Sequence, residues 1–158
     1  MWHHTREMKE IPNRAGVEAI YRVQFVIWLA ILFSVCMFLL ITVIVEAPAG
    51  RSDNPLVVWI LLAVAILTVS LSFALKRRFL AEAVEKQSPG RLQTGLIVAL
   101  SLCEVAGMFG IFVFFVTGTP YYYLFFIISA LGILLHMPRQ DQVRSTLFKE
   151  GGTGFTTR

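Results

Sequence analysis

The chain has 158 residues, of which 56% are hydrophobic and only 15% charged, and its mean hydropathy is +0.70. That is too apolar and too short for a soluble multidomain protein, and a bilayer is the solvent such a composition requires. The formal charge of +4 does not point to nucleic acid, because the Lys and Arg residues stand at the ends of apolar runs and form no patch of their own.

A spanning helix needs about 20 apolar residues, since each residue rises about 1.5 Å and the hydrocarbon core is about 30 Å thick. Residues 1–22 read as a polar N-terminal tail; its His3 and His4, without further ligands, make no metal site. The first span runs from Val23 to Val45. Ala47-Pro48-Ala49 follows it and resembles a small-residue cleavage site, but the apolar run and the tail before it are both longer than in a signal peptide, which predicts a retained anchor. The second span starts at Pro55, a residue suited to a helix start, and ends at Leu75. Phe79, Leu80, Ala83 and Val84 then recur at helical spacing, so this helix is predicted to continue until Ser88-Pro89-Gly90 breaks it. The third span is Leu92 to Thr117, and Gly118-Thr119-Pro120 turns the chain into a shorter fourth span, Tyr121 to Met137, closed by Pro138. In the polar tail 138–158, Val143 and Leu147 predict a short amphipathic helix on the membrane surface.

Basic residues orient this frame, because short cytoplasmic loops hold Lys and Arg. Of the fourteen present, Arg6, Lys9, Arg14 and Arg22 precede the first span. Lys76, Arg77, Arg78, Lys86 and Arg91 separate spans two and three, and Arg139, Arg144, Lys149 and Arg158 follow the last. The opposite side has Arg51 alone. The expectation is an all-α, multi-pass bundle of four transmembrane helices, residues 23–137, with both termini cytoplasmic, in the cell membrane and most simply a bacterial inner membrane. Tyr21, Trp28, Trp59 and Tyr121 to Tyr123 are expected as interfacial anchors. His136 ends span four, where an interfacial role is expected rather than a proton relay.

Of the ten acidic residues, nine lie in loops, tails or at a helix end, and only Glu104 lies deep in a span. Counting from the start of span three places it about 15 Å in, near the midplane. A charged carboxylate there costs roughly 3 kcal/mol even on a lenient insertion scale, so the group should be protonated, turned inward or paired. No Lys or Arg occurs within a span to pair with it. Ser101 and Gly107 share its helix face. Ser34 and Thr68 should lie within about two turns of its level and could donate to it. Gly95, Ala99, Cys103 and Gly107 recur every four residues, with Ala106 and Gly110 beside them, and form a small-residue face of the kind that lets another helix approach closely. Cys36 and Cys103 read as packing residues within apolar runs.

Residues 82–116 resemble the polar loop and second helix of the ATP synthase rotor-ring subunit, the c-subunit or proteolipid. Lys86, Gln87 and Pro89 match its cytoplasmic loop, Leu92-Gln93-Thr94 its helix start, and the acid followed by Phe109-Gly110 its ion-binding helix. The resemblance implies that Glu104 corresponds to that family's proton or sodium site.

No nucleophile elbow, zinc-protease helix or nucleotide loop is present, and Gly151-Gly152-Thr153-Gly154 lacks the flanking strand and helix of a phosphate loop. The expectation is therefore a protein that is not an enzyme and uses no cofactor or metal. Two functions remain open: binding or relay of a proton or cation through Glu104, and a structural or accessory role in a larger membrane complex. In the second, the third span docks a partner helix or a second copy, and Glu104 is a hydrogen-bonded lock.

Overall fold

A computed structural model describes residues 14–46, 55–86 and 88–147. The tail residues His3, His4, Arg6 and Lys9, the Ala47-Pro48-Ala49 site, Arg51, Gln87 and the glycine-rich C-terminal segment lie outside the described residues. Helix α1 is Arg14–Ile44, α2 is Pro55–Glu85, α3 is Pro89–Val116, α4 is Tyr123–Leu135 and α5 is Gln140–Leu147.

Three of these helices, α1, α2 and α3, are long and apolar enough to cross a membrane. Their apolar residues do not keep to one stripe. Leu29 and Phe33 on α1, Ile60 and Leu67 on α2, and Met108 and Phe112 on α3 are all exposed, and a helix that is apolar all round belongs in a core or in lipid. The fourth apolar helix is short: α4 has 13 residues, which rise about 20 Å against a hydrocarbon core of about 30 Å.

Local chemistry sets the boundaries. Ser88, in extended conformation at φ −115°, precedes Pro89 at the first turn of α3, where a missing N–H is harmless. The other end of α3 closes through the Thr117 and Gly118 amides, which donate to Val113 O at 2.9 and 3.2 Å. Gly118 takes φ 60°, the left-handed conformation that glycine adopts cheaply after a helix end. A 3-10 turn over Pro120–Tyr122 then leads into α4.

Helix α3 is the centre. It packs on α1, α2, α4 and α5, whereas α1 and α2, consecutive in the chain, share no substantial interface with each other among the described residues. They lie instead against the α3/α4 pair, each also touching α5. Burial follows: 44% of the apolar window of α3 is enclosed, against 17% for α1 and for α2. One apolar cluster joins Trp28 and Val35 of α1 to Leu96, Leu100 and Cys103 of α3 and to Phe126 and Ile133 of α4. A second joins Val58 and Ala65 of α2 to Ala106 and Val113 of α3 and to Phe125 of α4.

A third cluster changes the reading of the polar ends. Val17, Ala83, Leu92 and Val143 pack together, so α1 starts at Arg14 rather than at Val23, and residues 14–22 belong to a helix and not to a tail. Val17 and Ile20 are spaced for one helix face, a signal that the search for long apolar runs passes over. The predicted continuation of α2 is found to Glu85, and the predicted short helix after Pro138 is α5, with Val143 fully buried.

Candidate functional site

Glu104 lies near the middle of α3 and is half-buried. Its carboxylate accepts a hydrogen bond of 2.6 Å from the Ser34 hydroxyl of α1. Among the described residues it is in no ion pair; the two pairs present, Arg22 with Glu18 and Arg91 with Glu82, are exposed and far along the chain from it. One hydroxyl donor leaves most of the acceptor capacity of a carboxylate unused.

The other residues expected around this acid are arranged differently. Thr68 donates to Val64 O of its own helix at 2.8 Å, which satisfies a hydroxyl on an apolar helix without help from α3. Ser101 is exposed and makes no hydrogen bond to Glu104. Gly107 does not leave open space beside the acid, because a Cβ there would stand 3.2 Å from Ser129 Oγ of α4 and 3.6 Å from Val35 of α1. Depth counting gives a level in the bilayer but not the direction around the helix, and direction separates Ser34 from Thr68.

The small-residue face packs within the chain itself. A Cβ on Gly95 would collide with Phe79 of α2, and one on Gly110 would approach Phe125 and Phe126 to 3.1 Å. Ala99 and Cys103 are completely buried. The close approach predicted for a partner helix is therefore taken by α2 and α4, and the exposed side of α3 is the stripe of Ile97, Val105, Met108 and Phe112.

Two aromatic and imidazole assignments are corrected. Trp28 is no interfacial anchor: it is 7% exposed, and its indole N–H donates to Ile133 O of α4 at 2.7 Å. Trp59, Tyr121 and Tyr123 are exposed, and Tyr122 stacks edge-on against Phe114 and Phe126. His136 is no surface residue either, being fully buried. Its Nδ1 lies 2.7 Å from Gly132 O; a carbonyl only accepts, so Nδ1 carries the proton and Nε2 is left as an acceptor. The ring lies 4.3 Å from that of Phe73.

Ser72 completes a buried polar cluster that the residue types did not announce. Its Oγ lies 3.4 Å from His136 Nε2 and 3.5 Å from Cys103 Sγ. The hydroxyl donates to Val69 O at 2.6 Å. With that proton committed to Val69 O, the approach of Oγ to the unprotonated Nε2 is a polar contact and not a second hydrogen bond, and the three buried side chains meet where α2, α3 and the end of α4 pack together. No common depth signalled it, since Cys103 adjoins mid-helix Glu104 whereas Ser72 and His136 stand near the ends of their apolar runs. Lys76, one turn after Ser72, donates to His136 O at 3.3 Å, where a cation favourably meets a helix C-terminus.

Fold and site together define a helical membrane-type bundle with one acid on its central helix. Comparison with protein-family models, curated proteins and solved structures finds no match to the chain.

Proposed function

We propose that the protein lies in the cell membrane with four membrane-embedded segments and both termini in the cytoplasm, and that Glu104 is a proton-binding group within it. The observation that carries this reading is the Glu104 carboxylate at mid-helix, held by one Ser34 hydroxyl at 2.6 Å and by no basic side chain among the described residues. A carboxylate with so few donors around it is costly to keep in a low-dielectric setting. A cation would need several oxygen ligands, and among the described residues Ser34 is the one polar side chain in hydrogen-bond contact with the acid, so the geometry favours the proton.

The resemblance of residues 82–116 to the rotor-ring subunit supports the same acid. It does not extend to ring assembly through the small-residue face, because Gly95, Cys103, Gly107 and Gly110 are filled by side chains of the same chain. The topology rests on thirteen of fourteen basic residues falling on one side, with α4 entering the bilayer against α3.

The accessory-subunit reading has its own support, since the same hydrogen bond fixes α1 against α3 across 70 residues of sequence. Labelling with a hydrophobic carbodiimide across pH, with Glu104→Gln as control, separates the two. Reaction at Glu104 that rises as pH falls and ignores sodium supports the proton site, and protection by sodium would replace the proton with a cation. A Glu104 that never reacts, in a protein whose Gln variant only loosens α1, would leave the lock.

A further inference from the structure

A cleft at the end of the bundle that holds Lys76 is lined by Gln24 of α1, Lys76 and Phe79 of α2, Gly95 of α3, and Gln142 of α5. Its volume is about 260 Å³, much of it open to the outside, and the enclosed floor takes about one water-sized group. Two of its polar side chains are short of partners. Gln24 is only 3% exposed, and its Nε2 has no hydrogen-bond partner among the described residues. Lys76 is half-buried and gives one N–H to His136 O, which leaves two of its three donors; no described carboxylate pairs with it.

The donor set has one sign. The polar side chains at the cleft are an ammonium and two carboxamides, with no carboxylate among them. Of the described acids on the helices that line the cleft, Glu82 is paired with Arg91 and Glu18 with Arg22, Glu104 is bonded to Ser34, and Glu85 and Asp141 are exposed. Arg139 lies near enough to Lys76 to repel it, which adds to the positive field. A buried donor and a half-buried cation, on two residues that line one cleft and without a described partner or counter-ion, are both satisfied by an oxyanion.

We infer that this cleft binds a phosphate group, with one non-bridging oxygen seated between Gln24 Nε2 and Lys76 Nζ and the rest of the ligand outside. The occupant is the phosphodiester of an anionic phospholipid, because Lys76 is the first charged residue after the apolar run of α2, the level at which lipid phosphates lie. The inference rests on the membrane embedding proposed above but not on the chemistry of Glu104. Free inorganic phosphate has the same chemistry and is separated by experiment.

The test is native mass spectrometry of the full-length chain released from a non-ionic detergent, with phosphatidylglycerol or diacylglycerol of matched acyl chains added, and a parallel thermal-unfolding series with millimolar inorganic phosphate. Phosphatidylglycerol is expected to be retained at least tenfold better than diacylglycerol. Lys76→Met and Gln24→Glu should each lower that retention about tenfold, the loss expected for one charge-assisted hydrogen bond. Gln24→Glu keeps the side-chain shape and places a carboxylate beside Lys76, so it should stay folded while excluding the anion. Phosphate that raises the unfolding temperature of the parent chain but not of the variants, with no preference between the lipids, would assign the site to the free anion. Equal retention of both lipids with no phosphate effect, or folded variants that retain phosphatidylglycerol like the parent, would overturn the inference and leave a bound water in the cleft. Resistance of the chain to alkaline extraction tests the membrane embedding separately, and Glu104 labelling in Lys76→Met tests the proton reading separately.

Discussion

Gly132 sits on α4 against Cys103 of α3 and Val69 of α2, and adding one methyl there tests how tightly the helices are fitted. A Cβ at residue 132 would stand 2.9 Å from Cys103 Sγ, 3.1 Å from Val69 Cγ1 and 3.4 Å from Cys103 Cβ, all inside the roughly 3.5–4.0 Å at which such atoms attract. Overpacking of this kind costs about 1–3 kcal/mol, while alanine in place of glycine in a helix returns up to about 1 kcal/mol. Gly132→Ala is therefore expected to destabilise the bundle by up to about 2 kcal/mol. Cys103→Ala removes the closest atom and opens a small void, which the methyl of Ala at 132 would refill. The double variant should then be more stable than the sum of the singles by about 1–2 kcal/mol, within the range found for residues in contact. Unfolding in mixed micelles with increasing denaturing detergent, followed by helical circular dichroism, gives all four corners of the cycle. Additivity to within about 0.5 kcal/mol would refute the packing of Gly132 on Cys103 and with it the α3/α4 interface described above.

Trp28→Phe should lower stability by about 1–2 kcal/mol through loss of the indole donor to Ile133 O; no change in the same assay would return Trp28 to the surface. In single-tryptophan variants, brominated lipids should quench Trp59, which is 61% exposed, and spare Trp28, which is 7% exposed. Ser34→Ala should destabilise by about 1–3 kcal/mol because the acid loses its donor, whereas Ser34→Ala combined with Glu104→Leu should recover most of that loss; a double variant as unstable as Ser34→Ala alone would show that the bond is not the cause. Glu18→Ala, which removes an exposed ion pair with Arg22, should change stability by less than about 0.5 kcal/mol.

Helix type and limits were legible because long apolar runs, Pro55, Pro89 and Gly118 each act locally. Glu104 was legible because a single acid in such a run has no bland surface reading, and Ser34 because depth alone brought it near. Thr68 failed where Ser34 succeeded, since both stand at a suitable depth but depth says nothing of direction around the helix, and the Thr68 hydroxyl is satisfied by the Val64 carbonyl one turn back on α2. Trp28 and His136 misled for a related reason. Both types favour interfaces when nothing else satisfies their N–H groups, and here the carbonyls of Ile133 and Gly132 satisfy them inside the bundle. The Ser72 cluster was hidden because it draws one member from each of three helices, and no spacing within one helix encodes it.

The separation of α1 from α2 has a consequence for how the protein is made. As the chain emerges, α1 finds no mate in the next helix and must wait, surrounded by lipid, until α3 and α4 have been synthesised to receive it. The last-made parts thus complete the first, and Trp28 reaches its acceptor only when residue 133 exists. A chain divided between α1 and α2 should still assemble from its two pieces, because the cut severs only the link between two helices that share no substantial interface while α1 keeps its packing on α3, α4 and α5, and production of the α2–α5 piece alone should leave a groove on α3 and α4 that an added α1 segment fills.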